Sequence, residues 1–305
     1  MLRRDMLVLE FWDRSKELNI KHQNYRNFVR QLTHTLLDQD TNKYDLTTNS
    51  LIRENKRITA SIIAKENGIF CGLEEFTILN HGLSINPLTS DGDKISKGDV
   101  LIKITGDAKM IFERERTSLN LLQRMSGIST LTNNLLKILD GKIKLAATRK
   151  TFWGRMDKKA VSVGGGLTHR LGLSDGVLIK DNHLRILGYD VEKALQLVKN
   201  KSKYIEIEVE NRKQALAAAN AIKKLTASDN KNMFAIMLDN IKPAGICGII
   251  KELKNKKLLD SLLLEASGNI NPGNMLEYAD SGLDIMSMGY LTNSSKVLNL
   301  SQEIE

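Results

Sequence analysis

Residues 147–183 concentrate fixed positive charge at spacings that suit a small polyanion. Five cationic or ionisable side chains of this run stand beside one another or directly after a short apolar strand and are the candidates for such a site: Arg149, Lys150, His169, Arg170 and Lys180. A guanidinium group binds a carboxylate or phosphate through two parallel hydrogen bonds, and a lysine adds a compact charge. The run therefore indicates a binding site for a small molecule with several negative charges.

Each of these features has a plainer explanation when it is taken alone. Basic residues at strand ends are usually solvated, and the glycine triplet 164–166 could simply form a turn that needs positive φ. Only their joint occurrence with the polar groups that follow later strands favours a site.

After residue 141 the chain alternates short apolar runs with helical segments. The expected strands are 143–146, 176–179, 205–209, 234–238, 262–265 and 285–288, and the clearest helices between them are 191–199, 212–225 and 274–281. Repeated β–α units imply parallel strands with right-handed crossovers, and a closed or nearly closed barrel is one natural result.

All six expected strands carry polar or glycine residues at or just beyond their C-terminal ends. In chain order these are Arg149 and Lys150, Lys180 and Asp181, Glu208 and Glu210, Asp239 and Asn240, Glu265 with Ser267 and Gly268, and Gly289. One such residue is more often a cap or a turn. Because the C-terminal strand ends of an α/β barrel form its active-site face, six successive ends favour convergence on one site.

The strand-end residues suggest a chemistry. Glu208 and Asp239 suit ribose hydroxyls or Mg²⁺, and backbone amides near Gly268 and Gly289 could form a phosphate cup. A serine-hydrolase elbow, a P-loop and a dinucleotide fingerprint are missing from the sequence. These groups suit transfer from a phosphosugar to a di-acid, with catalysis by positioning and electrostatic stabilisation.

The first third of the chain has a different pattern. We expect a lead-in without chemistry at 1–22, a helix at 25–37, an extended region from 46, and short strands within 58–104 with a hairpin turn at 66–68. This part is typical of a small antiparallel β domain with one packed helix. Helical periodicity begins near Glu113, with a core stripe of Leu119, Leu122, Met125 and Ile128.

Composition excludes several protein classes. The 305 residues are 41% hydrophobic and 27% charged, which is typical of a globular protein, and no apolar run approaches the roughly 20 residues of a membrane span. Cys71 and Cys247 lack metal-ligand spacing, so we expect free buried thiols in a reducing cytoplasm. The net charge of +9 suggests nucleic-acid binding as an alternative function. However, aromatic residues make up only 5% of the chain and do not interleave with basic residues. Attraction of anionic substrates is a sufficient use of the charge.

Seven motifs together resemble the quinolinate phosphoribosyltransferase family. They are RERTSLNLLQRMSGIST at 114–130, TRKT at 148–151, GGGLTHRLGLSDGVLIKDNH at 164–183, EIEVEN at 206–211, MLDN at 237–240, LEASGNI at 264–270 and MSMGYLTNS at 286–294. The resemblance is colinear from about residue 25 to the C-terminus.

The resemblance implies an α/β protein with two domains. Residues 23–115 would form an N-terminal α/β-sandwich-like domain, and residues 116–290 an open barrel of the type II phosphoribosyltransferase kind. The tail 291–305 would pack back on the first domain, and 1–22 would be an extension. The family is implied to form homodimers in which the N-terminal domain of one subunit closes the barrel of the other.

The resemblance also implies a pentosyl transfer in NAD biosynthesis. Quinolinate and phosphoribosyl pyrophosphate would give nicotinate mononucleotide, pyrophosphate and CO₂, with Mg²⁺ as cofactor.

The resemblance assigns roles to individual residues. Arg149, His169, Arg170 and Lys180 would hold the quinolinate carboxylates, and Lys150 would face substrate or pyrophosphate. Arg116 would reach quinolinate from the neighbouring subunit. Glu208 and Asp239 would engage ribose hydroxyls and metal, and the 5-phosphate would lie on Ser267, Gly268 and Gly289. Lys150, Lys180, Glu208 and Asp239 are the expected catalytic residues.

Two departures from the family pattern stand out. Ala147 replaces an aspartate before TRKT, and the following loop is about two residues shorter, with Trp153 in the position of a proline. Three alternatives remain: a paralogue linked to molybdenum transport, a phosphoribosyltransferase acting on nicotinate, and a non-catalytic protein that binds anions or RNA.

Overall fold

Parallel and antiparallel strands lie in different parts of the computed structural model, which describes residues 3–42, 44–54, 56–227 and 232–305. The strands are β1 Arg57–Ala64, β2 Gly68–Ile69, β3 Ser84–Pro87, β4 Lys94–Ile95, β5 Val100–Asp107, β6 Lys144–Ala146, β7 Val177–Ile179, β8 Tyr204–Val209, β9 Met233–Asp239, β10 Leu263–Ser267, β11 Ile285–Ser287 and β12 Leu300–Ile304.

The helices fall between these strands and before the first of them. They are α1 Arg3–Trp12, α2 Gln23–Thr41, α3 Leu46–Leu51, α4 Leu73–Leu79, α5 Ala108–Leu139, α6 Arg155–Val163, α7 Asp181–Ile186, α8 Val191–Val198, α9 Arg212–Thr226, α10 Pro243–Asn255, α11 Met275–Ala279 and α12 Tyr290–Asn293. Among the helices described, none has the length and apolar character of a membrane span.

One compact unit, here the barrel unit, comprises Met1–Arg14, Leu135–Lys150 and Leu167–Tyr290. Its six parallel strands have the order β6-β11-β10-β9-β8-β7. The six strands expected from the sequence are confirmed, with ends that differ by at most two residues. Beside the edge strand β6, Leu167 forms one further parallel bridge to Ala146. The open α/β barrel expected for this part of the chain is confirmed.

The other compact unit, here the N-terminal-sheet unit, comprises Ser15–Asn134, Thr151–Gly166 and Leu291–Glu305. Its main sheet is antiparallel in the order β12-β1-β5-β3, and β2 pairs with β4. The C-terminal strand β12 lies against β1 from Ala60 to Ala64. Residues 116–134, which the sequence placed in the barrel domain, group with this unit.

Three expectations for the N-terminal-sheet unit were wrong. Residues 66–68 do not close a hairpin, because β1 pairs with β5 and β12 whereas β2 pairs with β4. Residues 46–48 are helical, because the Asp45 carboxylate accepts the Thr48 N–H at 3.0 Å and caps α3. The unit contains several helices rather than one, and α5 begins at Ala108, five residues before the expected start.

The long helix α5 buries the apolar stripe that its spacing predicted. Leu119, Leu122, Met125 and Ile128 are all buried. Gly127 lies on the same helix, and a Cβ at this position would meet the carbonyl oxygen of Lys296 at 2.1 Å. The C-terminal chain can therefore approach α5 only because residue 127 has no side chain.

Helix α1 packs into the barrel unit by its apolar face. Val8, Phe11 and Trp12 are buried in one cluster with Ala146, Leu167, Ala235, Leu263 and Ile285. Most of these partners lie at or near the first residues of their strands, at the end opposite the expected site. Residues 3–14, which the sequence left without a role, thus fill one end of the barrel core.

Candidate active site

The strand registers bring the predicted barrel residues to one edge of the sheet. Ser267 is the register partner of Asp239 on β9, and Ser287 is the partner of Ala146 on β6. Lys180 Nζ lies 2.6 Å from Glu208 Oε2, which joins the ends of β7 and β8. Because all six strands are parallel, the segments that carry Arg149, Lys150 and Gly289 leave the sheet at the same edge.

Arg170 lies in the loop 168–176, which leads into β7. Its Nη1 donates to the Gly176 carbonyl at 2.9 Å, while its buried Nε has no hydrogen-bond partner in the described structure. Burial lowers the pKa of Arg170, and the charge of Arg149 lowers it further. The guanidinium stays protonated, so two repelling cations and one unsatisfied donor point to an anion as their missing partner.

Asp239 ends β9 among cations and an amide. Its Oδ2 accepts from Asn240 Nδ2 at 2.6 Å. Partial burial raises the pKa of Asp239, whereas Lys180, Asn240 and Lys150 act to lower it. Asp239 therefore shares one electrostatic environment with both lysines that the sequence assigned to the site.

Gly268 occupies a place that admits no side chain. Its φ is +92°, and a Cβ there would lie 2.5 Å from Asn240 Oδ1 and 2.7 Å from the Asn240 nitrogen. The Asn240 N–H donates to the Ser267 carbonyl, and Asn269 Nδ2 donates to Asn240 Oδ1. The loops after β9 and β10 are thus fastened together, and their backbone amides are held in fixed directions.

His169, Glu206 and Glu265 form a buried polar group, here the trio. His169 Nε2 lies 3.1 Å from Glu265 Oε2 and 3.3 Å from Glu206 Oε2, and all three side chains are almost fully buried. Ser287 donates to the other oxygen of Glu265. The trio ties the loop 168–176 to β8, β10 and β11.

Both ring nitrogens of His169 are used inside the protein. The Arg170 backbone N–H donates to His169 Nδ1 at 2.8 Å, and Nε2 faces the two carboxylates. A nitrogen that accepts a hydrogen bond carries no proton, so His169 is the neutral tautomer with its proton on Nε2. His169 therefore fixes the backbone that presents Arg170, and its ring offers no open nitrogen to a substrate carboxylate.

The trio retains an extra proton near neutral pH. Burial lowers the pKa of His169, whereas Glu265 and Glu206 raise the proton affinity of the whole trio. Burial together with the charge of Glu265 raises the pKa of Glu206 to about 7. The groups of the trio titrate together, and because the Arg170 N–H occupies Nδ1 of His169, we assign the retained proton to Glu206.

His183 stabilises the turn that carries Lys180. Its Nδ1 accepts the Lys180 backbone N–H at 2.9 Å at the start of α7. The run KDNH thus contains one residue with its amino group in the site and one that orders its backbone.

The shortened loop after TRKT is organised by Asp157 within the N-terminal-sheet unit. The buried Asp157 carboxylate receives the Phe152 and Trp153 N–H groups at 3.2 and 3.1 Å. Arg124 binds the same carboxylate through two hydrogen bonds and lies over both aromatic rings. These contacts give the loop a defined conformation although Trp153 stands at the proline position.

Arg116 does not belong to the barrel unit. It is exposed on the part of α5 that groups with the N-terminal-sheet unit. Its predicted role across a subunit boundary stays a prediction.

Sequence reasoning missed the trio. Glu206 falls in a strand whose other residues from 205 to 209 are all buried, and Glu265 was noted only as a strand-end residue. A carboxylate inside a buried parallel strand predicts a buried polar cluster, because such a group needs a hydrogen-bond donor or an opposite charge beside it. Among the described residues the trio could also supply three metal-ligand atoms within 4.8 Å of one another. Its internal hydrogen bonds already use the ring nitrogens.

Two family descriptions match consecutive parts of the chain. The N-terminal domain of quinolinate phosphoribosyl transferase matches residues 45–126, and its C-terminal domain matches residues 128–303. The chain belongs to the quinolinate phosphoribosyltransferase family.

Relatives of this family match most of the chain. A probable nicotinate-nucleotide pyrophosphorylase (carboxylating) from Methanothermobacter thermautotrophicus is 38% identical, covering 88% of this chain and 96% of the relative. A protein of the same name from Bacillus subtilis is 34% identical, covering 92% and 94%. The structure of nicotinate-nucleotide pyrophosphorylase from Francisella tularensis has a TM-score of 0.76 at 32% identity, covering 92% and 96%.

The shared proton of this quinolinate phosphoribosyltransferase should be visible in the pH dependence of its stability. Because the pKa of Glu206 is raised from 4.5 to about 7, its stabilising contribution is complete below pH 4.5 and is lost as pH rises through 7. Glu206→Gln keeps a donor but cannot ionise. We expect the wild type to lose unfolding free energy between pH 5 and 8 relative to Glu206→Gln. Urea titrations of both proteins across this range measure the difference.

Glu210, four residues further along the chain and just after β8, is exposed. Glu210→Gln is therefore the matched control and should show no such difference from the wild type. A difference between Glu206→Gln and wild type that is independent of pH would contradict a protonated Glu206.

Proposed function

We propose that the barrel edge described above is the site where this chain transfers a phosphoribosyl group from phosphoribosyl pyrophosphate to quinolinate. The products are nicotinate mononucleotide, pyrophosphate and CO₂, as the family and the names of its relatives indicate. The observation that carries the proposal is the unsatisfied, half-buried Arg170 guanidinium beside Arg149, at the edge that also holds Lys180.

Two carboxylates on the substrate match this arrangement of cations. Arg170 can bind one carboxylate through its guanidinium, while Arg149 and Lys180 bind the second. Nicotinate has a single carboxylate and would leave a cationic subsite unpaired. Since two guanidinium groups repel each other when the site is empty, the dicarboxylate gains affinity by neutralising both.

The residues at the other strand ends suit the ribose and phosphate groups of the second substrate. Glu208 and Asp239 lie at adjoining strand ends and can accept hydrogen bonds from ribose hydroxyls. A 5-phosphate can accept hydrogen bonds from the hydroxyl of Ser267 and from backbone N–H groups at Gly268 and Gly289. Lys150, which shares the environment of Asp239, faces the departing pyrophosphate.

Catalysis in this arrangement is electrostatic. Carboxylates at Glu208 and Asp239 stabilise positive charge that develops on the sugar, and Lys150 stabilises the leaving group. After attack by the ring nitrogen, the carbon–carboxylate bond breaks and CO₂ leaves, the quaternised nitrogen stabilises the electron pair left on the ring carbon, and a proton from solvent then bonds to that carbon. The chain needs no nucleophilic side chain for either step.

Mg²⁺ fits the same carboxylates. Magnesium takes oxygen ligands and is often held by one or two carboxylates with substrate phosphates. Asp239 and Glu208 would supply these oxygens, although Lys180 now pairs with Glu208 and Asn240 with Asp239. The ion would neutralise pyrophosphate charge, and the side chains would orient the sugar.

We also propose a homodimer with shared sites in a reducing cytoplasm. Arg116 is exposed, and its motif position suits contact with quinolinate bound to a neighbouring subunit. Cys71 and Cys247 are free cysteines, which suits a reducing compartment; Cys71 is buried, but the expectation of a buried thiol was wrong for Cys247, which is exposed on α10.

The reaction is tested by incubating the purified chain with quinolinate, phosphoribosyl pyrophosphate and Mg²⁺. We expect CO₂, pyrophosphate and nicotinate mononucleotide in equal amounts, and far slower turnover when nicotinate replaces quinolinate. Arg170→Ala and Lys180→Ala should each lower kcat/KM for quinolinate by about 10²–10³.

Lys224→Ala is the matched control for these cation deletions, because Lys224 is exposed on the outer helix α9 and pairs with Glu192 there. The site assignment fails if Arg170→Ala and Lys180→Ala retain the activity of Lys224→Ala. Preferential turnover of nicotinate would instead support the mono-acid alternative.

The shared site predicts complementation between subunits. Arg116→Ala and Lys180→Ala homodimers should each be nearly inactive, because each lacks one contact in both sites. Mixed dimers contain one intact site, so mixing the two variants after dissociation should restore up to about a quarter of wild-type activity, in line with random pairing of subunits that exchange freely. Unchanged inactivity in mixtures whose subunit exchange is verified by mass would count against Arg116 acting across the interface.

A further inference from the structure

We propose that Arg14 is a positioning residue for quinolinate binding, acting through the loop 168–176 on Arg170. The inference rests on the proposed role of Arg170 and gives a function to the N-terminal segment 3–14. Arg14 touches neither substrate nor any of the catalytic side chains named above. It follows Trp12 at the end of α1 and is only 9% exposed.

Arg14 is held on several sides before it reaches the loop. Its Nη1 donates to the carbonyls of Glu10 and Asp13, each at 3.0 Å, and its guanidinium lies 4.2 Å from the centre of the Tyr204 ring. Behind it, Trp12 and Phe11 are packed in the barrel core. These contacts already immobilise the Arg14 side chain. Its guanidinium can therefore act as a rigid support for the loop.

Two contacts join Arg14 to the loop. Its backbone N–H donates to Thr168 Oγ1 at 2.7 Å, and its Nε donates to Asp175 Oδ1 at 3.0 Å. The second oxygen of Asp175 accepts the Leu171 N–H at 2.8 Å. Leu171 directly follows Arg170. Asp175 therefore links Arg14 to the backbone next to Arg170, and the position of Arg14 helps to fix the position of that backbone.

Arg14 also controls which cation Asp175 neutralises. Asp175 is close enough to Arg170 to raise the pKa of its guanidinium. While Arg14 satisfies Asp175, the charge of Arg170 remains available for a substrate carboxylate. Without Arg14, a mostly buried Asp175 carboxylate would be left without this counter-charge and would compete with quinolinate for Arg170.

The test compares Michaelis constants of the full-length chain for its two substrates. We expect Arg14→Ala to raise the KM for quinolinate at least tenfold, while the KM for phosphoribosyl pyrophosphate changes less than twofold. Arg4→Ala is the matched control, because Arg4 fastens the other end of α1 to Asp284 and has no contact with the loop. Its KM for quinolinate should stay within twofold of wild type.

A rescue variant separates positioning from general support of the fold. In Arg14→Ala/Asp175→Asn, the amide oxygen can still accept the Leu171 N–H, but the uncompensated charge is gone. We expect the KM for quinolinate to return towards the wild-type value. Arg14→Lys, which keeps the charge but loses the fork, should show an intermediate KM and covers the case in which Arg14→Ala does not fold.

Three outcomes would overturn the inference: a wild-type KM in Arg14→Ala and Arg14→Lys, an equal rise in Arg4→Ala, or no recovery in the double variant. Failure of the site assignment looks different. In that case Arg170→Ala itself would leave the KM for quinolinate unchanged.

Discussion

The buried contact between His169, Glu206 and Glu265 is the constraint on which the site depends. Burying two carboxylates and an imidazole is costly unless every charge is shared or hydrogen-bonded. The trio largely meets this condition by keeping one proton on Glu206 and by using Nδ1 of His169 for the Arg170 N–H, although Glu206 Oε1 has no hydrogen-bond partner among the described residues. The loop that presents Arg170 is thereby tied to the ends of the sheet, and the left-handed φ of +54° at His169 is held in place.

A second constraint is the mutual repulsion of the cations. Burial and the charge of Arg149 lower the pKa of Arg170, and the nearby Glu206 and Asp175 offset this only in part. The fold gives acids near the site other partners: Glu208 pairs with Lys180, and Asp175 pairs with Arg14. The repulsion that remains is relieved by an anionic ligand, which converts electrostatic cost in the free protein into affinity for a dicarboxylate.

The sequence predicted the barrel strands and the residues at their ends because buried parallel strands are short apolar runs with polar residues directly after them. It failed where long-range pairing overrides local signals. The turn residues at 66–68 hydrogen-bond to distant segments instead of closing a hairpin, and the contact between Arg14 and Asp175 joins residues 161 positions apart. The sequence shows Glu206 and His169, but it does not show that they are in contact. Their roles depend on which ring nitrogen faces which carboxylate oxygen, and the fold sets that geometry.

The neutral tautomer of His169 can be measured directly by NMR on the chain labelled with ¹⁵N-histidine. The His169 signals are identified by their loss in His169→Asn, and the four other histidines serve as internal references. The structure predicts a protonated Nε2 and an unprotonated Nδ1 for His169 from pH 6 to 8. Protonation of both nitrogens at pH 7 would break the bond from the Arg170 N–H and would contradict the account of how the site is held.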